Sequence, residues 1–562
     1  MIQIHRQMSS ETKVPLPLWC LIILLVCFVS FFVYNDTVPA DLMESRNLVT
    51  AREMINTGNY LIPTMNGELR LEKPPLPTWI AAGIEHAFPY NLAAQRAAAG
   101  IAATLMVFFL FLLVRKITGE TFLAFMAALV LATCYNPVMM GRNATWDIYC
   151  HAFMLGAIYF MWSAFKSEGK QWARFLLAGF FMGLSFLSKG PVSFYALLLP
   201  FLVGFIIVEK PSLKGKTAPF IGMILLTLIV SFWWPAYIAA FHPETGSAVA
   251  AKESGAWLSH NVRPLWYYWQ FPAEAGIWAL FWVTSLFYYF YYFRKRNPEP
   301  RNIFRLSVIW TLAALILLSL IPEKKTRYLL PMLIPGAINI AFYLWYSMKN
   351  VNGMSKGEKI LLQINGTLIA VISLIIPIGI YFLAKDGHMD WFFHLVLPSL
   401  IFWAIAIYLF VGLYGKKGIF PNRVFFGTVL IMLSFILFYY QPVTRLFINE
   451  NRHSISALRD DPGLQGLPFH YPTEEGTIRM ELVYEAGRSI TPIDLKNDSV
   501  VYAALPFVLV CEKPAPDLLE NLEVTIEYIG TFDNNWRKVD SHRYNKELVK
   551  EVYLVKNKKT KQ

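Results

Sequence analysis

The sequence predicts an all-α polytopic membrane protein of about 13 transmembrane helices, closed by a small α/β domain outside the membrane. Three observations carry that prediction. The 562 residues are 56% hydrophobic and 16% aromatic with only 16% charged, far more apolar than a soluble domain of this size. Apolar runs near the ~20 residues that cross a bilayer recur as far as Tyr440, separated by short breaks rich in Lys and Arg. From Gln441 the composition turns polar, with short β-branched runs in place of long apolar ones.

The predicted spans are Leu18–Val33, Ala93–Val114, Phe122–Met139, Ile148–Phe165, Ala173–Leu187, Val192–Val208, Ala218–Ala240, Ile277–Tyr292, Ile303–Ile321, Leu329–Trp345, Ile360–Leu383, Phe392–Tyr414 and Val424–Tyr440. The first follows a basic N-terminal stretch and reads as a retained signal-anchor in preference to a cleaved signal peptide. Alternating the spans puts Arg115/Lys116, Lys166/Lys170/Arg174, Lys210/Lys214/Lys216, Arg294 to Arg305, Lys349/Lys356/Lys359 and Lys416/Lys417/Arg423 on one side. By the positive-inside rule that side is cytoplasmic. The N-terminus is then expected in the cytoplasm and the C-terminus outside.

The chain therefore divides at 1–440 and 441–562, with long outer loops at 35–92 and 241–276. In the second part, Val500–Cys511 is apolar but too short to span and reads as a buried strand, and VTIEYIGTF and EVYLV read as further strands. SISALRD and PDLLENLE read as helices, and Lys556–Lys561 as a frayed tail.

The net charge of +12 does not imply nucleic acid, because the basic residues lie between apolar spans and report topology and contact with membrane lipids. Five cysteines without CxxC or CxxH spacing give neither a disulfide framework nor a zinc site. No P-loop or dinucleotide fingerprint is present, so no nucleotide is expected.

The informative basic residues are those that break the topology rule. Arg70, Lys73, Lys189, Arg263, Lys324, Lys325 and Arg327 all fall on the outer side, where an anionic ligand would account for them. Asp41 and Glu44 follow Pro39 in a D-x-x-E pattern, which caps a helix and can also present a general base. Glu72 and Lys73 abut the stiff Pro74, Pro75 and Pro77, and a lysine so placed can hold a phosphate. Asp147 stands where a loop enters a span, a position that either caps the helix or serves function. In the second outer loop Arg263 can clamp a phosphate, and His260 is either a surface histidine or a metal ligand with Glu72.

At these residues the chain resembles the polyprenyl-phosphate-dependent membrane glycosyltransferases related to protein O-mannosyltransferases and to the aminoarabinose transferase of lipid A modification. The marks are AREMINTGNYLIPTMNGELRLEKPPLPTW, Trp146–Asp147, LSKGP at Leu187–Pro191 and PEKKTRYLLP at Pro322–Pro331. The resemblance implies a fold of the third glycosyltransferase class, GT-C, and transfer of a sugar from a polyprenyl phosphate such as undecaprenyl phosphate to a lipid, protein or glycan acceptor at the outer face of a bacterial inner membrane. The family places its catalytic aspartate in an Asp-Glu pair shortly before the ARE segment. Counting back from Ala51, those positions are Met43 and Glu44, so either Glu44 acts as base or a two-residue shift brings in Asp41, the preferred reading, with Glu44 beside it. Glu72 and Lys73 match the family's Glu-Lys-Pro, with the lysine on the donor phosphate. Asp147, Lys189, Arg263 and Tyr328 match other site positions, and Lys324 is expected to help hold the phosphate. No cofactor is required, a divalent metal on Glu72 and His260 being the option left open, and a monomer is expected. The alternative is a lipid-linked sugar transporter or flippase, whose polar groups would gather at the bilayer midplane.

Overall fold

The computed structural model describes residues 14–293, 300–385, 392–416, 418–449, 451–520 and 522–558. The basic stretch before Val14, Arg294–Arg296, Lys417 and the last lysines of the tail lie outside the described residues.

Eight described helices are long and apolar enough to cross a membrane: Leu92–Thr118, Trp146–Lys166, Thr217–Phe241, Arg301–Leu320, Thr326–Lys349, Lys356–Leu383, Phe392–Tyr414 and Pro421–Leu446. A ninth is the pair Thr121–Thr133 and Tyr135–Gly141, bent by 67°. The break falls at Cys134, which is extended (φ −70°, ψ 143°). Pro137 sits in the first turn of the second helix, where a missing N–H costs nothing. The other expected spans correspond to shorter helices at Leu16–Phe31, Phe194–Glu209, Trp172–Lys189 and 279–293. The last span runs to Leu446, past the expected boundary at 440.

Local signals set the helix ends. Leu92–Thr118 opens on Asn91, whose side chain accepts from Ala94 N at 3.0 Å, carries Arg115 and Lys116 in its last turn, and stops at Gly119 with φ 73°. Thr326–Lys349 is buried over 94% of its apolar window, so it forms the bundle's centre. Trp172–Lys189 and Thr217–Phe241 approach so closely that a Cβ on Gly179 would meet the Met223 carbonyl at 2.4 Å.

Between the first two apolar helices lie helix Leu42–Thr57, a hairpin of β1 (Thr64–Met65) and β2 (Glu68–Leu69), and helix Leu76–Ala87. The hairpin turns through Asn66 (φ 56°) and Gly67 (φ 83°), the Asn-Gly pair that favours a two-residue turn with positive φ at both positions.

The C-terminal part is a mixed five-stranded sheet in the order β4-β3-β5-β7-β6: β3 Phe469–Pro472, β4 Ile490–Ile493, β5 Phe507–Cys511, β6 Val524–Asp533 and β7 Val549–Asn557. β3 runs parallel to β4 and β5, whereas β7 is antiparallel to β5 and β6. β5 is buried at every residue because both faces are covered, which explains its unbroken apolar run. Val508 and Val510 pack with helix Met480–Ala486, and Phe507, Leu509 and Cys511 with Val501 of helix Asp498–Ala504.

The expected strand Val500–Cys511 is thus half helix. Asp498 favours the start of that helix and Pro506 its end, leaving β5 only Phe507–Cys511. SISALRD gives a short 3-10 turn at Ile455–Leu458, and PDLLENLE is helical only over Ala515–Leu518. The sheet domain does not stand apart from the rest. One core joins its Ile455, Leu482 and Val483 to Leu48, Val49 and Met54 of helix Leu42–Thr57 and to Ala81 and Ala82 of helix Leu76–Ala87.

Candidate active site

The start of helix Leu42–Thr57 separates two carboxylates that the sequence leaves as alternatives. Asp41 is the N-cap: Oδ1 accepts from Met43 N at 2.7 Å and Glu44 N at 2.9 Å, and Oδ2 accepts from Asn143 Nδ2 at 3.0 Å. It remains exposed. Glu44 is 1% exposed and fully engaged. It accepts from Asp41 N at 3.2 Å, from Ala144 N at 2.9 Å, and from Arg96 Nε and Nη2 at 2.8 and 2.6 Å. A carboxylate holding a bidentate arginine and two backbone donors has no free lone pair for a substrate. Glu44 is therefore corrected from candidate base to structural anchor, and Asp41 is the open carboxylate.

The Asn143 contact brings the loop before Asp147 against Asp41. Asp147, 2% exposed in the first turn of Trp146–Lys166, forms a short ion pair with Lys189 in the last turn of Trp172–Lys189. Each charge complements its own helix end. Lys189 Nζ also lies 5.1 Å from the Tyr328 ring centroid. Arg327 completes the group, next to Tyr328 and within electrostatic range of Asp147 and Asp41. Its Nε is buried without a hydrogen-bond partner among the described residues. Asp41, Asp147, Lys189, Arg327 and Tyr328 thus converge from four segments distant in sequence. Arg327 is the residue missing from the sequence-derived site. Its signal is a basic residue on the wrong side of the topology rule.

The Glu72–Lys73 segment is held from two directions. Arg70 donates to Arg46 O and Thr50 Oγ1 and stacks 5.0 Å from the Trp146 ring, next to Asp147. Burial lowers the Arg70 guanidinium to about 10, opposed by the Glu72 carboxylate and reinforced by Arg46, so it stays charged at neutral pH. Lys73 Nζ pairs with Glu253 at 2.7 Å and Lys252 with Glu72 at 3.2 Å, a crossed pair against helix Pro243–Ser259. Both pairs are solvated, so Lys252→Ala should shift thermal unfolding by less than about 1 kcal/mol, read by melting of the detergent-solubilised protein.

Four expected ligands are placed differently. Lys324 is 2% exposed, and its ammonium donates to Ile321 O at 2.6 Å and Arg263 O at 3.1 Å, so it fastens the strip 261–263 to 322–324 and is turned away from any phosphate. Burial lowers its pKa. Arg263 is exposed, with its guanidinium 5.9 Å from the Tyr267 ring. For a metal, Glu72 pairs with Lys252, His260 is exposed, and no group of three or more His, Cys, Asp or Glu could hold an ion among the described residues. The residues present do not fit a metal centre.

A family model described as dolichyl-phosphate-mannose-protein mannosyltransferase matches residues 72–234. The undecaprenyl phosphate-alpha-4-amino-4-deoxy-L-arabinose arabinosyl transferase of Shewanella sediminis is 25% identical over 407 residues, covering 70% of this chain and 72% of its own. ArnT from Cupriavidus metallidurans in the apo state superposes with a TM-score of 0.67 at 15% identity, covering 96% of this chain and 97% of that one. The same protein bound to undecaprenyl phosphate gives 0.65 over the same shares. The helical bundle and C-terminal sheet have the GT-C fold, with the charged site at one end of the bundle. Residues 72–234 thus match the mannosyltransferase family model, the chain is similar to the arabinosyl transferase over 70% of its length, and it shares the fold of ArnT over 96%.

Proposed function

We propose that the protein transfers a sugar of the aminoarabinose type from undecaprenyl phosphate to a lipid acceptor of the lipid A kind, at the periplasmic face of the inner membrane. The observation that carries this is the open carboxylate of Asp41 beside Arg327 and the Asp147–Lys189 pair, gathered at one end of the bundle. A flippase would gather its polar groups at the midplane. The named relatives support the donor class, and the distribution of Lys and Arg supports the sidedness.

The reaction is a single displacement with inversion. An acceptor oxygen attacks the anomeric carbon, the bond from that carbon to the phosphate oxygen breaks, and the carrier leaves as polyprenyl phosphate with the bonding electrons. Asp41 orients an acceptor hydroxyl and takes its proton; an acceptor that is already a phosphate has none to give. Arg327 and Lys73, with Lys189, stabilise charge on the departing phosphate. Asp147 holds Lys189 in place, and Tyr328 offers its ring to that ammonium. The chain acts as a monomer and runs the reaction on side chains alone.

Removing one charged phosphate donor costs about 1.5–3 kcal/mol, so Lys73→Ala should raise the donor KM roughly 10- to 100-fold. In cells, mass spectrometry of lipid A, glycoproteins and polyprenyl-phosphate sugars should show product lost and donor accumulating in a deletion strain, and reduced product with Lys73→Ala. Unchanged products in both strains would sink the reading.

A further inference from the structure

We propose that the C-terminal sheet domain is a clamp that sets the position of the Glu72–Lys73 segment, gripping it through the tip of the β1–β2 hairpin. This rests on the reading of Lys73 as a donor-phosphate ligand. The grip is a main-chain mimic: Asn66, 8% exposed, donates from Nδ2 to Ile490 O at 2.7 Å and accepts at Oδ1 from Ile490 N at 2.8 Å. One side chain thereby pairs with the edge strand β4 as a neighbouring strand would.

A second tie lies beneath it. Glu53 accepts from Thr64 Oγ1 at 2.6 Å, from Gly67 N at 3.3 Å and from Ser489 Oγ at 3.0 Å, so one buried carboxylate joins catalytic-loop helix, hairpin and sheet domain. A third is Arg52, which pairs with Glu85 at 3.0 Å, donates to Tyr484 O at 3.0 Å and lies over the rings of Tyr90 and Tyr484. From the gripped turn the chain runs directly through Arg70, bound to Arg46 O and Thr50 and stacked on Trp146, to Glu72 and Lys73. Lys73 follows the grip at Asn66 by seven positions. Asn66 is a positioning residue: it touches no substrate and acts through the hairpin.

The test uses the full-length protein. Asn66→Gly keeps a turn that accepts positive φ and removes both bonds to Ile490. Asn66→Asp keeps the acceptor and loses the donor, and Ser489→Ala loosens the second tie alone. Losing two neutral hydrogen bonds should raise the donor KM of Asn66→Gly roughly 10-fold, with acceptor KM and kcat within about 2-fold and the melting temperature unchanged. Ser489→Ala should fall between it and wild type, whereas Asn66→Asp, which sets a buried carboxylate oxygen against the Ile490 carbonyl, should loosen the grip at least as much as Asn66→Gly. Hydrogen exchange over Thr64–Lys73 should quicken roughly 10-fold while β5 and β7 keep their protection. Wild-type donor KM and exchange in Asn66→Gly would overturn the clamp. So would a fall in kcat and melting temperature with both KM values unchanged, which marks a merely structural role. The exchange measurement needs no substrate, so it still tests the clamp if wild-type protein fails to use an undecaprenyl-phosphate sugar, the result that would overturn the functional reading itself.

Discussion

Glu44→Gln should destabilise the protein by about 3–5 kcal/mol, enough to remove much of the folded material from the membrane fraction. Glutamine preserves the shape but not the charge, leaving the Arg96 guanidinium, 5% exposed, without its counter-ion. Arg96 also donates from Nη1 to Asn35 O and Val38 O, both at 2.7 Å, so it ties the end of the first apolar segment to the loop helix. Arg96→Met should cost a similar amount, and the double variant less than the sum, because removing both charges together leaves neither stranded. Thermal unfolding of the four proteins in one detergent measures this. Strict additivity would show that the pair is not the unit described above.

Asp41→Asn should lower kcat by about 10²–10⁴-fold for a hydroxyl acceptor while leaving the fold intact. Asparagine caps a helix about as well as aspartate, and its side-chain carbonyl can still accept from the amides of Met43 and Glu44. The substitution therefore isolates proton acceptance from capping. Asp41→Ala would confound the two by adding about 1 kcal/mol of lost cap. Steady-state rates at saturating donor supply the test, and a wild-type kcat in Asp41→Asn would end the assignment of Asp41 as base. The contrast with Glu44 is sharp: three residues apart on one turn, one change should remove rate and the other stability.

The capping box is legible in the sequence, because N-cap chemistry is local and D-x-x-E spells it out. Sequence alone does not separate the two members of that box. What separates them is Arg96, 52 residues on from Glu44, and the Ala144 amide, 100 residues on. The Asp147–Lys189 pair is legible only as two costly charges near span ends, and their meeting depends on how Trp146–Lys166 packs against Trp172–Lys189. Lys324 misleads because a lysine in an outer loop looks available, whereas here two carbonyls hold its ammonium in a buried corner. The Asn-Gly turn is a weak signal in this setting, since flanking strands of two residues each have too little alternation to register as a hairpin. In the sheet domain, β6 and β7 follow from their β-branched runs. Val500–Cys511 fails as a single strand because apolar content alone does not tell a short helix from a strand.

The ties between the loop helix and the sheet domain join residues far apart in the chain: Arg52 to Tyr484 across 432 positions, and Asn66 to Ile490 across 424. During synthesis the segment bearing Asp41 and Lys73 is made early, whereas its partners are made after the last of the spans. Until then, Leu48, Val49 and Met54 have no Leu482 or Val483 to pack against. A chain that stops short of the sheet domain therefore leaves one side of helix Leu42–Thr57 uncovered, and the last residues translated complete the core around the first loop.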